Sequence, residues 1–557
     1  MKRLTLAALA ALLLTPFAKA QPAADVIVWN GPIYTGVDEA PRVEAVAARR
    51  GVITFAGARA DAEKHQGPRT RIVDLRGASA FPGFQDAHAH FRGIGERELT
   101  LNLEGLPSLA AAVEAVRRRV AETAPGAVIF GRGWHEGRWP ERRMLAAADL
   151  DAVAPNNPVI LVRGDGHSLV ANAKALEAAG VTTTTAAPDG GAIGKGADGR
   201  LNGILVDRAQ DLVAPLRLQA QPSLDAALDA GFRVYPSRGW VGLHNMSVHW
   251  DEAIALERRA RRTTLPLRIY NAVTPDAAQA LLASGPRRSA DGRIQTRAIK
   301  FYMDGSLGSR SAALFAPYAD RASETGLLLQ KREDVLPRYE HALRRGIQIA
   351  THGIGDRGNA MALDLYADAF ANVPEDSRGE RNPRWRIEHA QHLRLEDIVR
   401  FEKLGVIASM QPSHAISDLH FAHDRLGVDR LDGAYAWASL LNARAMVAGG
   451  SDAPVEQGDP LIEFYAAVAR KDLQGFQGAH WHAAQIVSRQ AALRMFTWAP
   501  AYAAFEDHMR GRLVVGQRAD LSIFSVDLMT APVEDIPNGR ALMTIIDGRP
   551  AWRVTGW

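Results

Sequence analysis

Short apolar runs alternate with stretches of helical length through most of the chain. The runs begin near residues 81, 128, 159, 240, 267, 297, 347, 385, 406 and 446. Between them, apolar residues recur at helical spacing, as in the helix predicted after Ser108. Strands that alternate with helices in this way are typical of a parallel sheet. The pattern predicts an α/β fold built on a (β/α)8 TIM-like barrel over residues 81–504.

There are more runs than the eight strands that close such a barrel. We therefore assign the runs at 128–131 and 159–162 to a large insertion after strand 1, over roughly residues 95–235. In the numbering that results, Lys300 lies on strand 4, His352 on strand 5 and His389 on strand 6. Asp452 then follows strand 8.

Both ends of the chain have the pattern of short strands separated by turns. The runs are 25–34, 43–55 and 70–75 at one end, and 513–515, 519–524 and 542–546 at the other. The last run precedes Asp547-Gly548, a turn pair typical of hairpins. Strands at both ends that flank an α/β middle predict one small β-sandwich domain, built from residues 21–80 and 505–557.

Residues 1–20 have the features of a secretory signal peptide. Lys2 and Arg3 precede an apolar stretch, and the triplet Ala18-Lys19-Ala20 is typical of a cleavage site. A membrane anchor is the alternative, but it needs about 20 apolar residues, and this stretch is shorter. The sequence therefore predicts secretion to the periplasm, with no membrane contact after the signal peptide is removed.

Charge and composition narrow the function classes. The net charge is +4 over 557 residues without any lysine-rich run, so nothing indicates a nucleic-acid partner. The chain has no cysteine, which excludes disulfides and thiolate ligands, so any metal must be bound through nitrogen and oxygen. These features fit a globular enzyme with a small-molecule substrate and leave formation of a homo-oligomer open.

Six residues with metal-binding chemistry lie in or directly after apolar runs: His88, His90, Lys300, His352, His389 and Asp452. The C-terminal ends of barrel strands share one rim, where catalytic groups collect. Side chains two residues apart on a strand point to the same face, so His88 and His90, about 7 Å apart, can share a metal ion. The alternative is a set of incidental or hydrogen-bonded core histidines. We predict a metal centre at this rim.

Lys300 stands among apolar residues in a chain where lysine is rare. Burial disfavours the charged ammonium and lowers its pKa. The neutral amine can add carbon dioxide to form a carbamate, whose two oxygens can bridge two metal ions. The alternative is a structural lysine paired with Asp304.

Asp452 lies in Gly449-Gly-Ser-Asp452, where the glycines allow close backbone approach. It can contact a metal, take a proton from water as a general base, and return the proton to the leaving nitrogen. The alternative is an ordinary turn aspartate before a proline. Glu388, next to His389, is expected on the opposite face, in a salt bridge of the barrel wall.

Other polar residues are predicted to contact substrate: Trp134 and His167 in the insertion, His244 at the end of strand 2, Asp304 after strand 4 and His414 after strand 7. For any lone histidine, a hydrogen-bonded core position is the alternative.

Together the motifs resemble the amidohydrolase superfamily, and within it the amidohydrolase-3 branch that includes N-substituted formamide deformylases. The matching stretches include FPGFQDAHAH from Phe81, GDGH from Gly164, HGIGD from His352, RIEHAQ from Arg386, MQPSH from Met410 and GSDAPV from Gly450. One departure is Leu243-His-Asn-Met246, where relatives often have an acidic residue near the end of strand 2.

The resemblance implies a metal-dependent hydrolase that acts on carbon–nitrogen bonds. It implies that His88, His90 and Asp452 hold one metal ion, that His352 and His389 hold a second, and that the Lys300 carbamate bridges them. Zinc is the expected metal because ligation by histidine, aspartate and carbamate suits it, and manganese or iron would also fit. Zinc lowers the pKa of bound water to about 7, which gives hydroxide at neutral pH.

The expected function is therefore hydrolysis of an amide or an N-substituted formamide by metal-activated hydroxide. Hydrolysis of a cyclic ureide or a lactone, or deamination, is the alternative on the same metal centre. A catalytically inactive binding protein on the barrel fold is a third possibility.

Overall fold

The computed structural model describes residues 22–134, 136, 139–164, 168–188, 191–478 and 481–557. The predicted signal peptide, residues 1–20, and His167 lie outside the described residues. The strands are β1 (Val26–Tyr34), β2 (Arg42–Arg49), β3 (Val52–Gly57), β4 (Arg71–Asp74), β5 (Ser79–Pro82), β6 (Phe84–Ala89), β7 (Leu101–Asn102), β8 (Ile129–Trp134), β9 (Val159–Arg163), β10 (Ser168–Ala171), β11 (Gly191–Lys195), β12 (Leu201–Asp207), β13 (Trp240–Val248), β14 (Arg268–Val273), β15 (Arg287–Arg288), β16 (Ile294–Tyr302), β17 (Gln348–Gly353), β18 (Arg386–His389), β19 (Ile407–Met410), β20 (Met446–Gly449), β21 (Leu521–Phe524), β22 (Ala541–Ile546) and β23 (Arg549–Arg553). The α-helices are α1 (Arg59–Ala62), α2 (Phe91–Leu99), α3 (Leu109–Glu122), α4 (Ala147–Asp151), α5 (Ala173–Ala178), α6 (Ala214–Gln219), α7 (Leu224–Ser237), α8 (Trp250–Arg262), α9 (Ala278–Ser284), α10 (Arg332–Arg344), α11 (Asp356–Asn372), α12 (Leu395–Leu404), α13 (Pro412–Asp418), α14 (Ala422–Leu426), α15 (Trp437–Asn442), α16 (Pro460–Ala469), α17 (Arg489–Phe496) and α18 (Trp498–Ala503).

Eight parallel strands form the central sheet, in the order β6-β13-β14-β16-β17-β18-β19-β20. Each of these strands pairs in parallel with the next. The first and last strands meet through a parallel bridge between Ala89 and Ala453. In addition, the backbone N–H of Asp452 donates to the carbonyl oxygen of His88 at 2.7 Å. The sheet is thus a nearly closed barrel, and the predicted α/β barrel is confirmed.

The chain passes from the terminal strands into the barrel at Gly83. Strand β5 pairs with β1 and β21, whereas β6 pairs with β13 of the barrel. A Cβ atom on Gly83 would lie 2.5 Å from a methyl carbon of Val241, so this close approach requires glycine. The barrel strand therefore begins at Phe84, three residues after the predicted start at residue 81.

Strands from both ends of the chain form one mixed sheet, in the order β23-β22-β21-β5-β1-β2-β3, with β4 also paired to β1. Packing of this sheet as a sandwich domain stays a prediction. The strand predicted at 513–515 is absent from the structure. Leu513 donates its backbone N–H to Thr35, and a turn follows in which the N–H of Gln517 donates to the carbonyl oxygen of Val514 at 3.1 Å.

Between β6 and β13 the chain forms a separate sheet, in the order β11-β12-β10-β9-β8-β7. Helix α2 precedes this sheet and α7 follows it, and the two helices pack closely. A Cβ atom on Gly95 of α2 would lie 1.7 Å from the carbonyl oxygen of Ala227 in α7. Ser108 caps α3 as predicted, because its side chain accepts a hydrogen bond from the N–H of Ala111. That this whole unit is an insertion into the barrel stays a prediction.

None of the helices in the described ranges combines the length and the apolar character that a membrane crossing requires.

Candidate metal centre

Four histidines meet at the C-terminal ends of the barrel strands. His88 lies on β6, His352 on β17 and His389 at the end of β18, and His90 directly follows β6. The ring centroids are 4.8 Å apart for His88 and His389, and 4.5 Å apart for His352 and His389. Those of His88 and His90 are 5.5 Å apart. The structure therefore brings the four predicted histidine ligands together.

Asp452 joins this cluster from the loop after β20. Its Oδ1 lies 3.0 Å from Nε2 of His90 and 3.4 Å from Nε2 of His88, and its Oδ2 lies 3.5 Å from Nε2 of His414. The backbone φ of Asp452 is 58°, in the left-handed region that residues other than glycine rarely adopt. Backbone strain of this kind clusters at functional sites, and here it places the carboxylate against the imidazoles.

The outer nitrogens of two imidazoles are held by side chains. Nδ1 of His88 lies 2.6 Å from Oε2 of Glu388, and Nδ1 of His389 lies 2.8 Å from Oε1 of Gln411. Both oxygens are acceptors, so each Nδ1 carries the proton and donates it. The opposite nitrogen, Nε2, is then left with a free lone pair. An outer partner of this kind is typical of histidines that bind metals.

The other two imidazoles are held by backbone carbonyls. Nδ1 of His90 lies 3.1 Å from the carbonyl oxygen of Met246, and Nε2 of His352 lies 3.1 Å from that of Gly305. These nitrogens therefore donate as well. Nε2 of His90 faces Oδ1 of Asp452 at 3.0 Å, a contact that needs either a proton on Nε2 or a metal cation between the two atoms.

The donor set fits a metal ion. One ligand atom each from His88, His389 and Asp452 lie within 4.8 Å of one another. His88 is fully buried, and its Nε2 has no hydrogen-bond partner in the described part of the chain. A buried polar atom without a partner is costly, and a bound cation would provide one. Imidazole nitrogen with carboxylate oxygen is a ligand set that suits zinc.

Burial keeps the imidazoles of His88, His352 and His389 neutral. It lowers the pKa of His88 to about 4 and the pKa of His352 to about 3, and the nearby Lys300 ammonium acts in the same direction. Burial also lowers the pKa of His389 well below its ordinary value. Neutral imidazole is the form that binds metals, so at pH 7 the cluster requires little or no deprotonation before it binds a cation.

Lys300 is 1% exposed and lies beside the cluster, with its Nζ 4.7 Å from the centroid of the Tyr302 ring. Burial lowers its pKa to about 8, against the opposing effect of the Glu388 and Asp452 carboxylates. The alternative partner, Asp304, is engaged elsewhere. Its carboxylate accepts the backbone N–H groups of Ala313, Ile354 and Gly355 at 2.7 to 3.0 Å. These bonds hold the loop after β16, and Oδ1 of Asp304 also lies 3.7 Å from Nε2 of His352. The predicted contact of Asp304 with substrate stays a prediction.

Glu388 does not point away from the cluster, contrary to the sequence-based expectation. The φ values of His389 and Ala390 are 73° and 42°, so the regular alternation of side-chain faces ends at Glu388. As a result both Glu388 and His389 approach His88. Glu388 also forms a salt bridge with Arg386, with Nε of Arg386 2.6 Å from Oε1. Sequence reasoning missed the contact with His88 because it assumed a regular strand through residue 389.

The sequence model of the amidohydrolase family matches residues 71–551. That range contains every residue of the cluster. The chain belongs to the amidohydrolase family.

Individual relatives agree with this assignment. The protein YtcJ of Bacillus subtilis (strain 168), named as an amidohydrolase, is 32% identical over 94% of this chain and 98% of its own length. The N-substituted formamide deformylase of Arthrobacter pascens is 24% identical over 96% of this chain and 99% of its own length. A crystal structure of a metal-dependent hydrolase from Pyrococcus horikoshii OT3 gives a TM-score of 0.74 at 26% identity, over 91% of this chain and 99% of that one. This amidohydrolase is therefore a metal-dependent hydrolase.

The residues predicted to contact substrate lie in different places. His414 lies against the cluster, where its ring stacks on His389 with centroids 5.8 Å apart. His244 lies inside the barrel, where its Nδ1 accepts from Nη1 of Arg386 at 2.5 Å. Trp134 lies in the core of the second sheet, fully buried, and its Nε1 donates to the carbonyl oxygen of Leu161. The structure does not bring Trp134 to the cluster.

Sequence reasoning also missed Asp86 and Gln411. Asp86 is fully buried and accepts from Tyr235 Oη at 2.7 Å, from Ser451 Oγ at 2.5 Å, and from the backbone N–H groups of His88 and Ser451. It thereby ties the first barrel strand to the loop that carries Asp452. Asp86 lies in the motif FPGFQDAHAH and Gln411 in MQPSH, but no spacing along the chain indicated which residues they would contact.

A cavity of about 480 Å³ lies between the barrel loops and the second sheet. On the barrel side it is lined by Ser413 and Ser417 of α13 and by Glu456 and Gln457, which follow Asp452 in the same loop. On the other side it is lined by residues 102–106. Its lining includes Ser413, the sequence neighbour of His414, but none of the six predicted metal ligands.

Proposed function

We propose that this amidohydrolase cleaves carbon–nitrogen bonds of amides or N-substituted formamides. The observation that carries the proposal is the cluster itself, in which four histidines, a strained aspartate and a buried lysine meet at the strand ends. The N-substituted formamide deformylase of Arthrobacter pascens, aligned over nearly the whole chain, supports this choice of bond.

Two zinc ions are the proposed metals. When bound, they would supply an acidified water molecule and polarise the substrate carbonyl. His88, His90 and Asp452 would hold one ion, and His352 and His389 the other. His389 also lies close enough to His88 and Asp452 to contact the ion that those two residues would hold.

Asp452 is placed to move the proton. Its Oδ1 faces Nε2 of His90 and Nε2 of His88, whereas its Oδ2 faces His414. We assign Oδ1 to metal binding and Oδ2 to the proton. Oδ2 would accept the proton from the attacking water as a general base and return it to the departing nitrogen as a general acid.

Lys300 is proposed to carry a carbamate formed with carbon dioxide. With a pKa of about 8, roughly a tenth of its amine is neutral at pH 7, which is the form that adds carbon dioxide. The carbamate would place two oxygens between the metal positions. The cavity beside His414 is proposed to hold the rest of the substrate.

The first experiment is elemental analysis of the purified protein, with a Lys300→Ala variant alongside. We expect about two zinc equivalents in the parent and a clear loss in the variant. One equivalent in both proteins would contradict the bridged pair of ions. Absence of bound metal after reconstitution would contradict the mechanism as a whole.

The second experiment is a substrate panel on the zinc-loaded protein. It compares N-benzylformamide and benzamide with a hydantoin, a lactone and an aminopyrimidine. Turnover of the first two in preference to the others supports the proposed bond. Preference for a hydantoin, a lactone or an aminopyrimidine would contradict it, although the metal centre would stand.

Export to the periplasm is also proposed, on the sequence of residues 1–20. N-terminal sequencing of protein recovered from the periplasmic fraction should begin at Gln21. An intact Met1 would contradict the proposal.

A further inference from the structure

A buried ion pair stands behind the metal cluster. Arg386 and Glu388 are both 0% exposed. Nε of Arg386 donates to Oε1 of Glu388 at 2.6 Å, and Nη2 donates to Oε2 at 3.0 Å. Because the arginine binds both oxygens, the carboxylate is fixed in position and in plane.

Arg386 is itself held from several strands. Nη2 also donates to the carbonyl oxygen of Ala87 on β6 at 2.6 Å and to Ser409 Oγ on β19 at 2.7 Å. Nη1 donates to Nδ1 of His244 on β13 at 2.5 Å. A side chain on β18 thus reaches three other strands of the barrel, and this anchoring leaves the guanidinium little freedom to move.

The ion pair ends on a metal ligand. Oε2 of Glu388 accepts the Nδ1 proton of His88 at 2.6 Å. The opposite nitrogen of His88, Nε2, is buried and has no hydrogen-bond partner in the described residues. It lies 3.4 Å from Oδ1 of Asp452. A carboxylate on one nitrogen fixes the tautomer and the ring plane, and it makes the other nitrogen a stronger base.

We infer that Glu388, fixed by Arg386, is a positioning residue that aims Nε2 of His88 at the metal and sets the affinity of the centre. Glu388 acts through His88 and touches neither substrate nor metal. The inference rests on the metal-dependent hydrolase assignment and is independent of the substrate that is proposed.

A purely structural role for the ion pair predicts a different result. In that case, loss of the Glu388 charge would lower the free energy of unfolding, and the folded fraction would bind zinc as tightly as before. Positioning instead predicts weaker zinc binding by protein that remains folded. Zinc affinity and folding stability therefore separate the two roles.

The test is zinc affinity, measured by competition with a chromogenic chelator on the full-length protein without substrate. Glu388→Gln keeps the shape of the side chain and removes its charge. We expect its zinc dissociation constant to rise 10- to 100-fold, the range found when a carboxylate behind a histidine ligand is altered. Affinity within threefold of the parent, in a variant that unfolds at a normal urea concentration, would overturn the inference.

Glu506→Gln is the matched control. Glu506 is also buried, 3% exposed, and pairs with Arg510 and with Arg288. Among the described residues, its carboxylate has no hydrogen bond or ion pair with a histidine. We expect the parent's zinc affinity in this variant. A comparable loss of affinity in the control would show that any buried charge change disturbs the centre, and would also overturn the inference.

Glu388→Asp keeps the test decisive if the glutamine variant fails to fold. The shorter side chain retains its charge and can still pair with Arg386, but it cannot reach Nδ1 of His88 at the same time. We expect near-normal urea stability with zinc affinity lowered about tenfold. Parent-like affinity in this variant would count against positioning.

Discussion

Two buried networks of arginine and carboxylate lie at opposite ends of the barrel. At the C-terminal ends of the strands, Arg386 holds Glu388, and Glu388 holds His88. At the N-terminal ends, Arg268, the first residue of β14, donates to both oxygens of Asp520 at 2.8 and 3.1 Å. It also donates to Asp547 at 2.6 Å. Arg386, Glu388, Arg268 and Asp520 are buried, and both networks use the two-pronged geometry that arginine favours.

The networks differ in what they end on. The network at the N-terminal ends is made of ion pairs and a backbone hydrogen bond, and it joins Asp520 and Asp547 of the terminal segments to the barrel. The other network ends on an imidazole whose second nitrogen is left without a partner in the described residues. Arginine–carboxylate pairing therefore joins the terminal segments to the barrel at one end, and at the other end it orients His88. This matches the general division of such barrels, with catalysis at the C-terminal face and stability at the N-terminal face.

Removal of the Asp520 carboxylate should cause the largest loss of folding stability and should leave zinc affinity unchanged. Asp520→Ala leaves the buried Arg268 guanidinium with Asp547 as its remaining carboxylate, and loss of one partner of a buried pair costs about 3 kcal/mol or more. The free energy of unfolding, measured in urea, should fall by that amount, while the zinc affinity of folded protein stays unchanged. Loss of less than about 1 kcal/mol, or a loss of zinc affinity, would break the distinction between the two networks.

Local patterns in the sequence predicted the barrel, and they predicted that the proposed ligand residues would lie together at one rim. Apolar runs at helix-sized intervals predicted the eight strands, and the position of a residue at the end of a run predicted that it would lie at the rim. Lys300, His352 and His389 were assigned to the correct strands for this reason.

The partners of those ligands could not be predicted from local patterns. Glu388 shares a face with Arg386 by regular alternation, and His389 joins that face because the strand geometry breaks there. A positive φ of this kind is not encoded by a pattern of apolar and polar residues. Asp86 and Ser451 are 365 positions apart along the chain and meet only because the barrel closes. Trp134 was predicted to contact substrate from its place in the insertion, but its side chain is buried in the core of the second sheet, a position that depends on long-range packing.

Lys300 differs from the arginines of both networks, because it is buried but forms no ion pair with a carboxylate in the described structure. Its pKa is about 8 when folded and 10.5 in its ordinary state. Between these values the unfolded chain binds the proton and the folded protein does not, so stability should rise as pH increases from 8 to 10.5. The gain should be on the order of 2–3 kcal/mol for the metal-free protein.

The measurement is urea unfolding of the metal-free parent and of a Lys300→Met variant at pH 7, 9 and 10.5. Other groups titrate in this range, so the informative quantity is the difference between the two proteins. Below pH 8 the variant should be the more stable, and its advantage should shrink as the pH rises. A difference that does not change with pH would mean that the Lys300 amine has an ordinary pKa.

Gln411 tests whether a neutral outer partner matters less than a charged one. Its Oε1 holds Nδ1 of His389 as Glu388 holds that of His88, but without a formal charge. Gln411→Ala should weaken zinc binding about fivefold to tenfold, at the lower end of the range for such partners and less than Glu388→Gln does. Chelator competition under the same conditions gives both values. A larger loss in Gln411→Ala than in Glu388→Gln would reverse the order and remove the charge as the explanation.

Substitution of Trp134, which lies in the second sheet outside the barrel, should have the smallest effect on stability and none on the metal cluster. Its ring packs against Trp139 with centroids 6.1 Å apart, and its Nε1 donates to Leu161 at 2.9 Å. Trp134→Phe removes that hydrogen bond, so the free energy of unfolding should fall by about 1 kcal/mol. Zinc affinity should not change, and kcat/KM on whichever panel substrate is turned over should stay within twofold of the parent. A loss of kcat/KM without a loss of stability would mean that the core of the second sheet influences catalysis at the metal cluster. A buried side chain outside the cluster could then change activity, as Glu388 is inferred to change zinc affinity.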